Sequence, residues 1–207
     1  GDWSSDVCSS DLRTMVQQRL IRLVVFSVIG IFLSAGLGFA ADTIKLGVAG
    51  PHSGDLASYG IPTVKAAELV VKAVNAKGGV LGKKVELLVE DDVCKPEVAT
   101  NTATKMVSEK ADVVLGHICS GATKAALGIY RNSKIIAMSP SATNPALTQS
   151  GDYPNFFRTI ASDDAQARLE VDFALDTLKL KKIAVLHDKG DYGKGREIGR
   201  ASCRERV

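Results

Sequence analysis

The sequence is poor in the residues that most often announce chemistry. Its 207 positions hold three histidines, four cysteines, one tryptophan and 5% aromatic residues. His52, His117 and His187 stand far apart, and none has a nucleophile or a metal-ligand partner at a recognisable spacing. No G-x-S-x-G elbow occurs. The glycines of 190–195 are not spaced as a dinucleotide fingerprint, and 77–83 lacks the Gly-Lys-Ser/Thr ending of a phosphate loop. These absences argue against an enzyme, a resident metal or a cofactor. An excess of one charge is lacking too. Lys and Arg number 26 against 23 Asp and Glu, a net charge of +3 that leaves no nucleic-acid footprint.

Long apolar runs are also scarce; the single one spans 23–37. It follows Met15, Arg19 and Arg22 and precedes the small residues around Gly38 and Ala40. That is the pattern of a secretory signal over 15–40, cleaved after Ala40. A membrane anchor is the alternative, but the run is shorter than the roughly 20 residues a spanning helix needs. Residues 2–12 and 197–207 back-translate into strings resembling sequencing-adapter DNA, so 1–14 and 197–207 are expected to be non-native flanks. Cys8 and Cys203 fall in those flanks. Cys94 and Cys119 remain, an even pair in an exported chain, which reads as a disulfide rather than two free buried thiols. Closing that loop is worth about 3 kcal/mol.

Between the flanks, short apolar runs alternate with helical patterns. Strands are expected at 44–49, 84–90, 111–116, 134–138 and 182–186, with a short extended run at 156–160. A helix opens with Pro62 in its first turn and carries Val64, Ala67, Val71 and Val74 on one face. Another opens at Pro96, with Val98, Thr102 and Met106 aligned, and a third covers 123–131. Ser162 is expected to N-cap a fourth, on which Ala165, Leu169 and Phe173 line up. The alternation predicts an α/β fold with a parallel sheet covered by helices, binding its ligand where the strands end.

The strand-end loops carry most of the special residues. Ser120 and Gly121 open the third helix, where free amides, the helix dipole and a hydroxyl favour a carboxylate; a plain N-cap serine is the alternative. The loop Ser139-Pro140-Ser141-Ala142-Thr143-Asn144-Pro145 should lie beside it, with hydroxyls and carbonyls suited to both ends of a zwitterion, or simply form a turn. Tyr59 and Tyr192 sit among glycines, where they could pack on an apolar ligand or lie idle at the surface. Asp91 and Asp92 point to opposite faces of their strand, and the pair reads as a solvated strand end.

At these residues the chain resembles the periplasmic Leu/Ile/Val-binding proteins, the receptors of branched-chain amino-acid ABC transporters. The resemblance runs from about Ile44 to Gly195. It is carried by Val-Asn-Ala-Lys-Gly-Gly at 74–79, Glu-Asp-Asp-Val-Cys at 90–94, Gly-His-Ile-Cys-Ser at 116–120, Ser-Pro-Ser-Ala-Thr-Asn-Pro-Ala-Leu-Thr at 139–148 and His-Asp-Lys-Gly-Asp-Tyr-Gly-Lys-Gly at 187–195. It implies a periplasmic-binding-protein type I fold of two α/β lobes, with 41–160 the first part of lobe one and 161–196 the start of lobe two. It also implies an amino-acid ligand, an inner-membrane ABC permease as partner, a periplasmic monomer, no cofactor and no nucleic acid. Cys94 and Cys119 match the family's disulfide. Ser120 and Thr143 match the residues that bind the ligand carboxylate. Ser141, beside Ala142, stands where a small residue offers its carbonyl to the ammonium group; the usual alanine is replaced by serine. Tyr59 and Tyr192 match tyrosines that flank the ligand. The family's acidic ammonium partner and the rest of lobe two are expected to be absent from this chain.

Overall fold

The computed structural model describes residues 43–186 and 188–196. The expected leader, both adapter-like flanks and His187 lie outside the described residues. Five parallel strands form one sheet: β1 (Ile44–Gly50), β2 (Val85–Asp91), β3 (Val113–Leu115), β4 (Ile136–Ser139) and β5 (Phe156–Arg158). Their order across the sheet is β2-β1-β3-β4-β5. Between them run the helices α1 (Ala57–Ala76), α2 (Pro96–Ser108), α3 (Ser120–Asn132) and the single turn α4 (Ala146–Gln149). After β5 come α5 (Asp163–Asp172), a π turn (Phe173–Thr177) and α6 (Asp191–Arg196).

Strand residues alternate between faces, and the two faces of this sheet differ. On one, Ala49, Val114, Ala137 and Phe156 are buried in a core with Met106 of α2 and Leu127 and Tyr130 of α3. Gly47 admits α2 at close range, since a Cβ there would lie 2.8 Å from the Met106 sulfur. On the other face, α1 packs on β1 and β2. Farther across, Leu115, Met138 and Phe157 stand in register, and Met138 and Phe157 are 36% and 49% exposed.

Several expectations give way to the structure. α1 begins at Ala57, so Pro62 lies inside the helix rather than in its first turn. Turn hydrogen bonds from Ala57 N to Gly54 O and from Tyr59 N to Leu56 O start the helix early. Tyr59 therefore stands on a helix, not in a loop. No strand forms at 182–186; a strand needs a neighbour to complete its ladder, and this segment pairs with none of the five. On α5 the buried residues are Asp163, Ala167 and Val171, while Leu169 and Phe173 are exposed. The apolar stripe expected to face inward has nothing described to pack against. Ser162 takes the extended N-cap conformation, but its hydroxyl bonds Asp164 and makes no cap bond.

Candidate functional site

The site grows from the carboxyl ends of β1 to β4. β3 ends in Gly116, whose φ of +130° and crowding against the Ala49 carbonyl leave room only for glycine. The chain then turns into α3, one turn earlier than its pattern predicts, with Ser120 as the first helical residue and Cys119 at the N-cap. Cys119 provides no side-chain cap bond, because its sulfur is joined to Cys94, with the two Cα atoms 5.5 Å apart. No acidic residue occupies the first turn. The opening amides of α3 are thus left to the positive end of the helix dipole and to whatever acceptor lies beyond it.

Ser120 is 2% exposed, and its hydroxyl accepts from the Asn144 amide at 3.2 Å. That bond brings the 139–145 loop against α3, as expected from the sequence. Ser139 organises the loop: its hydroxyl donates to the His117 carbonyl at 2.5 Å and accepts from the Ser141 and Ala142 amides at 3.2 and 2.9 Å. Thr143 is 7% exposed, and its hydroxyl faces the Asp163 carboxylate. Ala142 is buried and Ser141 half-buried. α6 lies beside the opening of α3, with Asp191 paired to Lys124 at 3.2 Å and its carbonyl taking the Asn144 side-chain amide at 2.5 Å. Tyr192 on α6 is half-exposed; its hydroxyl accepts from Arg196 at 2.9 Å. Tyr59 is 65% exposed and stands in the first turn of α1 with no recorded bond to this cluster.

The aspartate pair is not a solvated strand end. Asp91 accepts the His52 and Val93 amides at 2.8 and 2.9 Å and the Ser53 hydroxyl at 2.5 Å. Burial alone would raise its carboxyl, but these bonds and His52 bring it below the usual carboxylate value. Asp92 is wholly buried; it accepts the Cys94 amide at 2.7 Å and stands 2.5 Å from His117 Nδ1. The other ring nitrogen of His117 lies 3.0 Å from the Tyr130 hydroxyl. Burial, reinforced by Asp92, pushes the Tyr130 phenol above its ordinary range, and the His117 ring bridges that phenol to the Asp92 carboxylate. No spacing rule links residues 92, 117 and 130. Only the sheet order, which sets β2, β1 and β3 side by side, brings them together.

A family profile described as "Periplasmic binding protein" matches residues 43–202. The "Leucine-, isoleucine-, valine-, threonine-, and alanine-binding protein" of Pseudomonas aeruginosa is 40% identical over 178 residues, covering 86% of this chain and 47% of that protein. Among solved structures, the branched-chain amino acid transporter substrate binding protein from Streptococcus pneumoniae, in complex with isoleucine, superposes with a TM-score of 0.70 at 34% identity, over 79% of this chain and 46% of its own. A solute binding protein of an R. palustris ABC transporter, in complex with benzoate, gives a TM-score of 0.70 at 30% identity, over 80% and 45%. The chain spans about half the length of the relatives it matches.

Proposed function

The chain belongs to the periplasmic binding protein family, and on that premise we propose that it forms one wall of a receptor that captures a branched-chain or other aliphatic amino acid. The receptor hands its ligand to an inner-membrane ABC permease and carries out no reaction itself. Export by the 15–40 signal and action as a periplasmic monomer belong to the same reading. The observation that supports it is the uncapped start of α3 at Ser120, held against the loop that carries the Thr143 hydroxyl. A ligand carboxylate there would accept from the Ser120 hydroxyl, the first amides of α3 and Thr143. The Ser141 carbonyl would accept from the ammonium group, and Ala142 would let the ligand approach the loop. Tyr59 and Tyr192 would close on the aliphatic body when the second lobe folds over it.

The benzoate-bound relative favours a second reading, a receptor or sensor of the same fold for a small organic acid or amide. Both readings use the carboxylate cradle; only the first needs an ammonium site. Calorimetry on the full-length receptor with leucine, isoleucine, valine and benzoate separates them. The amino-acid reading expects saturable leucine binding without turnover. Ser120→Ala and Thr143→Ala should each weaken it by about 1–3 kcal/mol. Unchanged affinity in both variants would remove the site assignment, and binding of benzoate alone would favour the second reading.

A further inference from the structure

After β5 the chain leaves the sheet, and among the described residues no strand ties α6 back to it. Side chains make the attachment, and Asp191 is its centre. The Asp191 carbonyl accepts the Asn144 side-chain amide at 2.5 Å, and its Oδ1 stands 3.2 Å from Lys124 Nζ. The Asn144 backbone amide in turn donates to the Ser120 hydroxyl at 3.2 Å. Ser120 and Lys124 are four residues apart on α3, so they share one side of that helix. The contacts from Ser120 through Asn144 and Asp191 to Lys124 therefore close a ring on the opening turns of α3. Asp191 Oδ2 lies beside Gly121, 3.5 Å from where a Cβ would stand. Gly195 packs α6 onto the same loop, since a Cβ there would come 3.2 Å from Asn144 Nδ2 and from Pro145 Cδ. The ring thus sets Tyr192, the neighbour of Asp191, beside the proposed carboxylate site.

We propose that Lys124 and Asp191 are positioning residues for ligand capture. Their ion pair fastens α6, and Tyr192 with it, against α3, and so slows the ligand's escape without speeding its entry. The proposal rests on the amino-acid reading above and on α6 belonging to the second lobe. The pair then forms only when the lobes meet. A bond made only in the closed state favours that state and leaves encounter with the open one unchanged. Lys124 and Asp191 side chains are 54% and 32% exposed, so the pair is modest in strength and screened by salt. α3 has no acid in its own first turn, so the Asp191 carboxylate also meets the positive end of that helix. The Asn144 bond goes to the Asp191 backbone, and a change of the Asp191 side chain leaves that acceptor in place.

The test is stopped-flow measurement of leucine association and dissociation on the full-length receptor. Asp191→Asn keeps the shape and removes the charge. It should speed dissociation about two- to fivefold and leave association nearly unchanged. Added salt should speed dissociation in the wild type and do so less in Asp191→Asn. Lys124→Glu should have the larger effect, because it sets two carboxylates against each other. Combining Lys124→Glu with Asp191→Lys should recover part of the loss, which a packing defect would not allow. The ligand-free melting temperature should hold in each variant, since the open receptor lacks the pair. Unchanged dissociation in both single variants overturns the proposal. So does a double variant no slower to release leucine than Lys124→Glu alone, or a lowered ligand-free melting temperature, which would make the pair a support of the fold. If the wild type binds no amino acid, the amino-acid reading itself falls, a result seen before any variant is made.

Discussion

Two buried polar clusters lie near the strand ends, and they differ in how their atoms are partnered. In the first, Asp92, His117 and Tyr130 close a chain of hydrogen bonds that also takes in the Cys94 amide. The His117 carbonyl extends it, accepting from Ser139 at 2.5 Å and Thr123 at 3.2 Å. In the second, Asp163 and Thr143 are as deeply placed, but their side chains face each other and join no wider hydrogen-bond network among the described residues. A fully satisfied network rigidifies a core, whereas a buried carboxylate held by a single hydroxyl is costly to ionise. The first cluster therefore reads as frame, and the second lies against the proposed receiver formed by Ser120, Ser141 and Thr143. They share the 139–145 loop, so the frame holds the receiver in position.

The sharpest way to break this contrast is to remove one acid from each cluster. Asp92→Ala strips a buried histidine of its partner and should cost about 3–5 kcal/mol of unfolding free energy. Asp163→Asn, at the same burial, should cost little, because it removes a desolvated charge while the amide oxygen can still accept from Thr143. Urea unfolding of both variants in the full-length receptor decides it. If Asp163→Asn destabilises as much as Asp92→Ala, the second cluster is frame as well.

The disulfide comes next in size. It ties the Cys94 loop, just after Asp92, to the N-cap of α3, across a sequence separation of 25. The Cys94→Ser, Cys119→Ser double variant should lose about 3 kcal/mol. If the frame positions the receiver, leucine affinity should fall with it even where the protein remains folded. A loss of stability with affinity untouched would separate the two clusters.

The frame was harder to read from the sequence than the receiver. Ser120, Ser141 and Thr143 stand in strand-end loops with turn residues around them, so local pattern locates them. The parallel sheet was legible for the same reason, since each strand and helix carries its own period. Asp92 was misread because its burial depends on His117 arriving from another strand, a contact set by sheet order and not by spacing. Asp163 went unnoticed because a first-turn aspartate looks like any solvated helix start, and its burial comes from packing that spans the chain from the 143 loop to α6. The missing strand at 182–186 errs the other way: its local pattern is sound, but a ladder needs an edge to join.

The smallest effect separates the clusters by pH. The Asp163 carboxyl is raised in the folded state, so between its unfolded value near 3.8 and its folded value the native protein holds more protons. Stability contributed there is greatest at low pH and declines as pH rises through that window. His52, against the well-bonded Asp91, runs the opposite way. Burial lowers it below the usual 6.5, outweighing the pull of Asp91, Asp92 and Glu90, while His117 adds to the lowering. The unfolded chain then binds the extra proton, and stability falls as pH drops through 6.5 toward the folded value. His52 is partly exposed, so its slope is shallow. Unfolding curves collected from acid to neutral pH should lose the first slope in Asp163→Asn and the second in His52→Gln. Persistence of either slope in its own variant would remove that group as the cause.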